Sequence, residues 1–342
     1  MILSTLDKSR KGGAYEQIPS LVLGQRWTPQ LNSRNMMKVV LCVWIEPYIE
    51  TDLSFCVWPV HTPTTSKEVL TLSASTSPLP YTGNKSCIVN TILSVMPKHT
   101  VYIDPCMGSA EVFFRKPRAE KEILNDYNGD LVNLFRVIQN NEKLAYLLGR
   151  LYLSINGELA FKQNKDRLKG VPNILDDVIE TSQIFYDASW EDIQNAAAFL
   201  ENQVYSFSST GQTFGIARRD MSQRLPRLMS AYNRIRDAII LHRDYKDVIT
   251  YAACPGSFIL LDPPYKGTED MYSKANFDIE QHDILFSFMS EVNQQHHGEV
   301  KFLITYNNGP YIRGLAEKHG FDTFVQTRLH SMKQSKEAGA LY

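Results

Sequence analysis

FILLDPPY, residues Phe258–Tyr265, runs four apolar residues straight into an acid, two prolines and an aromatic ring. The apolar run reads as a buried strand. Proline has no N–H to give to a sheet ladder, so the strand has to end at Asp262. In open α/β sheets ligands lie at the carboxyl ends of strands, and an acid there, held between a strand end and two rigid rings, stands where chemistry is done.

Outward from this stretch the chain alternates strands with helices. Upstream, TVYID (100–104) and EILND (122–126) read as strands, and SAEVFFRK (109–116) and GDLVNLFRVIQ (129–139) as helices. Downstream, HDILFSFMSEV (282–292) and PYIRGLAEKHG (310–320) read as helices, and KFLITY (301–306) and FDTFVQTRL (321–329) as strands. This order predicts a parallel α/β sheet covered on both faces. Between residues 141 and 246 the alternation lapses into mainly helical, polar sequence, apart from VYSFSSTGQTFG (204–215), which reads as a loop or hairpin. The predicted organisation is therefore a catalytic domain from 80–140 and 247–342, interrupted by an insertion at 141–246. The Ser-, Thr- and Pro-rich run from His61 to Pro80 marks a linker. Residues 1–79 are read as an extension of unknown role, with short strands or little structure in Val39–Val60.

Composition sets limits. With 342 residues, 43% of them hydrophobic, the chain can bury a large core, and its net charge of −1 means that any surface for an acidic partner is local. Five scattered cysteines without a C-x-x-C pair argue against disulfides and a zinc knuckle and for a reducing cytoplasm. The N-terminal apolar stretch is too short for a signal peptide, and Glu46, Pro47, Glu50 and Asp52 interrupt Val39–Val60 as a membrane span. The adjacent His296 and His297 point to different faces and read as polar loop, so no metal is assigned.

Three strand ends carry acids: Asp104, Asp126 and Asp262. Gly108 and Ser109 follow the first in a turn that lets backbone approach a ligand. Asp126 stands about 20 residues after Asp104, the distance at which nucleotide-binding α/β folds place a carboxylate on ribose hydroxyls. Plainer readings exist: the turn lacks the full G-x-G-x-x-G, and an Asp at position 126 also suits a helix cap. The Asp262-Pro263-Pro264-Tyr265 corner is more telling. A side-chain and a main-chain acceptor can take the two hydrogens of a planar amine and aim its lone pair at an electrophile, while an aromatic ring stacks on the base.

YTGNK (81–85), YIDPCMGSAEVFF (102–114), ILND (123–126) and LLDPPY (260–265) resemble, in that order, the motifs of the Dam-type adenine-N6 DNA methyltransferases. The resemblance runs from about Pro80 to the C-terminus. It implies a Rossmann-like, S-adenosylmethionine-dependent methyltransferase sheet with an inserted target-recognition region. By that resemblance Tyr81, Lys85, Asp104, Gly108 and Asp126 belong to the cofactor site, Asp126 on the ribose. Asp262, with Pro263 and Pro264, serves both amine and cofactor, and Tyr265 stacks on a flipped adenine. The chain departs from the family at Cys106-Met107-Gly108-Ser109, where an aromatic and two glycines are usual. It also stops at AGALY, so the last strand is expected to be incomplete. The implied partner is double-stranded DNA, with a cognate restriction endonuclease as a further candidate, and the implied state is a cytoplasmic monomer in a bacterial cell or phage-infected host. Methylation of RNA adenine, cytosine N4 or a glutamine amide, and a non-catalytic DNA-binding relative, are the competing readings.

Duplex DNA must surrender its base before such a corner can reach it, and contacts elsewhere have to supply that energy. The basic run at 216–246 offers Arg218, Arg219, Arg224 and Arg227, followed by Arg234, Arg236 and Arg243, for phosphates or guanine edges. A solvated helix face is the bland alternative for any one of them.

Overall fold

The computed structural model describes residues 37–45, 76–176, 188–217, 219–266 and 277–329. Seven strands form one sheet: β1 (Met37–Ile45), β2 (Val101–Asp104), β3 (Lys121–Asn125), β4 (Ile239–Leu241), β5 (Ser257–Leu261), β6 (Lys301–Asn307) and β7 (Asp322–Leu329). The spatial order is β4-β3-β2-β5-β6-β1-β7, and every pairing is parallel. A parallel sheet needs cover on both faces, and its strands are correspondingly apolar, β5 being buried at all five residues.

Alternation along the strands divides the core. Tyr102, Leu124, Phe258 and Leu260 face one apolar cluster, whereas Ile103, Ile123, Ile259 and Leu261 face another. The first cluster takes in α1 (Val89–Val95), α2 (Glu111–Arg115) and α3 (Gly129–Gln139). Four further helices extend it: α4 (Asn141–Tyr152), α5 (Glu158–Lys169), α6 (Trp190–Tyr205) and α7 (Leu225–Ile235). α8 (Tyr245–Ala252), α9 (Ile279–Gln295) and α10 (Pro310–Lys318) cover the second. Among the described residues no helix is long and apolar enough to cross a membrane.

From β2 the chain winds outward through β3 to β4, and from β5 it winds the opposite way through β6 to β7. The order reverses between β2 and β5, which opens a crevice beyond their carboxyl ends.

Two strands lie outside the segment bounds read from the sequence. β4 pairs with β3 from Ile123↔Ile239 to Asn125↔Leu241, so the sheet already resumes before residue 247. β1, from the supposed N-terminal extension, sits between β6 and β7. The reason is geometric: the crossover from β6 through α10 to β7 skips one position, leaving two facing strand edges to be paired. MKVVLCVWI, rich in β-branched and apolar residues, fits that slot, and Val39 is fully buried there. β7 pairs with β1 from Lys38↔Asp322 to Ile45↔Leu329. The shortfall expected at the C-terminal end concerns residues outside those described.

The insertion is helical, as its composition indicates. Ser189 and Asp192 close α6 with a reciprocal capping box, and Pro226 stands in the first turn of α7. α7 is fastened to the sheet by Arg234, which donates to both Glu122 oxygens at 2.5 and 2.8 Å and to the Phe113 carbonyl at 2.8 Å. Its guanidinium lies 3.7 Å from the Phe113 ring centroid.

Candidate active site

The crevice is a cavity of about 1100 Å³, lined by strand-end residues Asp104–Ser109, Asp126–Asn128, Arg243–Tyr245 and Leu260–Pro264, and by Tyr81–Lys85. It is continuous from the Gly108 turn to the Asp262 corner. A space of this size accepts a cofactor and a base together, since small-molecule pockets run to about 1,000 Å³.

The turn after β2 is held by backbone. Met107 N–H donates to the Asn125 carbonyl at 2.9 Å and Gly108 N–H to Asp126 Oδ2 at 2.9 Å. Gly108 has φ +47° and Ala110 φ +55°, so the chain passes twice through the left-handed region, and at Gly108 the missing side chain removes the strain. The Tyr81 ring closes over it, 3.8 Å from where a Cβ would stand.

Asp126 also accepts the Asn128 N–H at 2.9 Å, while Asn128 itself caps α3. The helix-cap reading of Asp126 thus passes to its neighbour. Burial pushes the Asp126 carboxyl up to about 6, against the bonds from Asn128 and Gly108 and with Asp262 adding to the rise. Asp104 is 3% exposed and accepts the Tyr102 hydroxyl at 3.0 Å. Burial raises it to about 8, against that hydrogen bond and with help from the Asp262 and Asp126 charges.

Asp262 keeps its side chain 24% exposed to the cavity and pairs with the ammonium of Lys85. Its Oδ1 accepts the Thr305 hydroxyl at 2.6 Å. Lys85 additionally donates to the Gly83 carbonyl at 2.7 Å and lies 5.2 Å from the centroid of the Tyr265 ring. Tyr265 rests against Tyr306, with centroids 5.8 Å apart, and Asn307 holds the following loop by donating to the Lys266 carbonyl at 2.9 Å. One cavity thus gathers Tyr81, Lys85, Asp104, Gly108, Asp126, Asp262, Pro263 and Pro264.

Sequence reasoning missed Thr305, whose signal is a lone hydroxyl near the end of an apolar strand. It also missed Asn202 and Gln203, buried on α6 and lining the cavity wall.

The arginines divide. Arg219, Arg224 and Arg227 stand together: burial, then the charges of Arg227 and Arg219, lower the pKa of Arg224. Arg227 is exposed, whereas Arg219 gives a hydrogen bond to the Val204 carbonyl at 2.6 Å. Arg218 lies outside the described residues. Arg234 is taken up inside the protein by Glu122, whereas Arg243 donates to the Asp176 carbonyl and lines the cavity.

The family model for D12 class N6 adenine-specific DNA methyltransferases matches residues 81–335. The chain belongs to this family. The D12 match opens at Tyr81, the ring over the Gly108 turn, and takes in every residue placed around the cavity above. Relatives include a DNA N-6-adenine-methyltransferase of Escherichia phage P1, 25% identical over 258 residues, which cover 70% of this chain and 31% of that protein. Modification methylase LlaI of Lactococcus lactis subsp. lactis is 21% identical over 240 residues, 65% of this chain and 36% of its own. Modification methylase StsI of Streptococcus sanguinis is 25% identical over 247 residues, 67% and 35%. The D12 chain described here spans about a third of the length of these relatives.

Proposed function

We propose that this chain transfers a methyl group from S-adenosylmethionine to N6 of an adenine flipped out of double-stranded DNA. The observation that carries the reading is the continuous cavity joining Asp126 and the Gly108 turn to Asp262, Pro263 and Pro264. S-adenosylmethionine, when bound, supplies an electrophilic methyl carbon. The residues present suit it: a carboxylate at 126 for ribose hydroxyls, a glycine turn without a Cβ, and the Tyr81 ring.

Asp262 is aimed by two neighbours, Lys85 and Thr305, and its carboxylate with the main chain of the proline corner accepts the hydrogens of the adenine amine. Accepting them favours a tetrahedral nitrogen with its lone pair directed at the donor, and the surplus proton leaves once the new bond has formed. Positioning rather than strong basicity drives the step. Tyr265, packed on Tyr306, offers its ring to the base. Arg219, Arg224 and Arg227, with Arg218, supply DNA contacts that offset the cost of flipping, a few kcal/mol. The insertion at 141–246 acts as the target-recognition region, and the protein works as a cytoplasmic monomer. The relatives that are modification methylases support a restriction endonuclease as cognate partner.

Incubation with duplex DNA and methyl-labelled S-adenosylmethionine, followed by mass spectrometry of the nucleosides, tests the assignment. Labelled N6-methyl-2′-deoxyadenosine from DNA is the expected product; label in N4-methyl-2′-deoxycytidine, or only in RNA nucleosides, would replace this reading.

A further inference from the structure

Asn202 and Gln203 are consecutive residues in the last turn of α6, 3% and 7% exposed, and both line the cavity. Their side-chain oxygens, Oδ1 and Oε1, have no hydrogen-bond partner. Buried amide oxygens are ordinarily satisfied, and two orphans side by side on a cavity wall call for a ligand.

A short series of contacts fixes where that wall stands. Gln203 Nε2 lies 2.9 Å from where a Cβ on Gly211 would stand. In the same loop, the Ser209 carbonyl accepts the Thr82 hydroxyl at 3.1 Å. Thr82 is next to Tyr81, whose ring covers the Gly108 turn. The amides therefore belong to the part of the cavity over β2.

The sheet order says what must lie there. β3, β2 and β5 are successive neighbours, with Asp126 at the end of the first, the Gly108 turn after the second and Asp262 at the end of the third. A donor whose ribose is at Asp126 and whose methyl faces Asp262 carries its sulfur across β2, and its amino-acid chain starts from that sulfur. That chain ends in an ammonium and a carboxylate. A primary amide can turn either its oxygen or its NH2 toward a ligand, so two amides can meet both groups. Lys165 lines the same cavity.

We propose that Asn202 and Gln203 hold the zwitterionic amino-acid end of the methyl donor, which makes the insertion part of the cofactor pocket and not only of the DNA surface. The subsite rests on the reading that the cavity binds S-adenosylmethionine.

Calorimetry with S-adenosylhomocysteine and 5′-methylthioadenosine separates the two ideas, because these thioethers share the adenosine and only the first carries the amino-acid chain. Asn202→Leu and, separately, the near-isosteric Gln203→Met are expected to weaken S-adenosylhomocysteine by about tenfold or more, the loss of a hydrogen bond to a charged group. Binding of 5′-methylthioadenosine should stay within about twofold. The ligand-free thermal midpoint should hold or rise, since an unsatisfied buried polar atom is removed. Unchanged binding of S-adenosylhomocysteine, or equal weakening of both ligands, would overturn the subsite. If the unaltered protein binds neither ligand, the cofactor reading falls first and the subsite with it.

Discussion

The hydroxyl of Thr305 donates to Asp262 Oδ1 at 2.6 Å, from a fully buried position on the neighbouring strand β6. The acid at the end of β5 is thus oriented by the strand beside it as well as by Lys85. With the Thr305 proton spent on one lone pair, Oδ1 still has another with which to accept from an amine.

Thr305→Val keeps the shape of the side chain and removes this donor. It should lower kcat for methyl transfer by about 10- to 100-fold, the scale of a small misplacement at the reacting centre. Cofactor affinity should barely change, and Thr305→Ser should recover most of the rate. Steady-state kinetics with titration calorimetry reads both, and a Thr305→Val protein with the original kcat would contradict the role.

Asp104 gives stability a definite pH dependence. Its folded pKa of about 8 lies above the ordinary aspartate value of 3.8, so between these limits the folded chain keeps a proton that the unfolded chain has released. Its contribution to stability is present at low pH and is lost as pH rises from about 4 to about 8. Asp104→Asn removes the ionisation. Urea unfolding should show the variant gaining on the unaltered protein from pH 5 to pH 8; a constant difference would mean that the carboxyl ionises equally in both states.

Arg227 and Arg234 share a helix and should fail in different ways. Arg227→Ala should weaken binding to duplex DNA and reduce the slope of log K against log salt by about one, with stability unchanged. Arg234→Ala leaves Lys116 as the remaining ionic partner of the buried Glu122 and takes the donor from the Phe113 carbonyl, and should cost about 1–3 kcal/mol of stability. Fluorescence anisotropy at several salt concentrations, beside denaturant curves, checks the contrast.

Val39 tests the strand that the sequence reading left outside the fold. Val39→Asp puts a charge into the closed core between β6 and β7 and should destabilise by about 3 kcal/mol or more. An unchanged urea midpoint would show that Met37–Ile45 does not hold the place between these strands.

Much of the catalytic sheet was legible because its signals are local. FILL and VYID are short apolar runs closed by an acid, and GDLVNLFRVIQ carries a helical period that matches α3 from end to end. β1 was not legible as part of the sheet, because its partners are about 260 residues or more away and no local pattern says which edge needs a strand. β4 is only three residues long and follows a basic helix without a break in composition. Arginine looks the same in sequence whether it faces DNA or a buried glutamate, so Arg234 and Arg227 could be told apart only by where Glu122 stands. Thr305, Asn202 and Gln203 were hidden for a related reason: each is one polar letter in an element whose local pattern speaks only of packing.

On the proposed function, Asp262 makes an adenine amine accept a methyl group. The most direct measurement compares the unaltered protein and Asp262→Ala for methyl transfer to duplex DNA, with binding of S-adenosylhomocysteine followed in parallel. The expected result is N6-methyl-2′-deoxyadenosine from the first, none from the second, and S-adenosylhomocysteine binding partly retained in the second. Methyl transfer by Asp262→Ala at the unaltered rate would contradict the account.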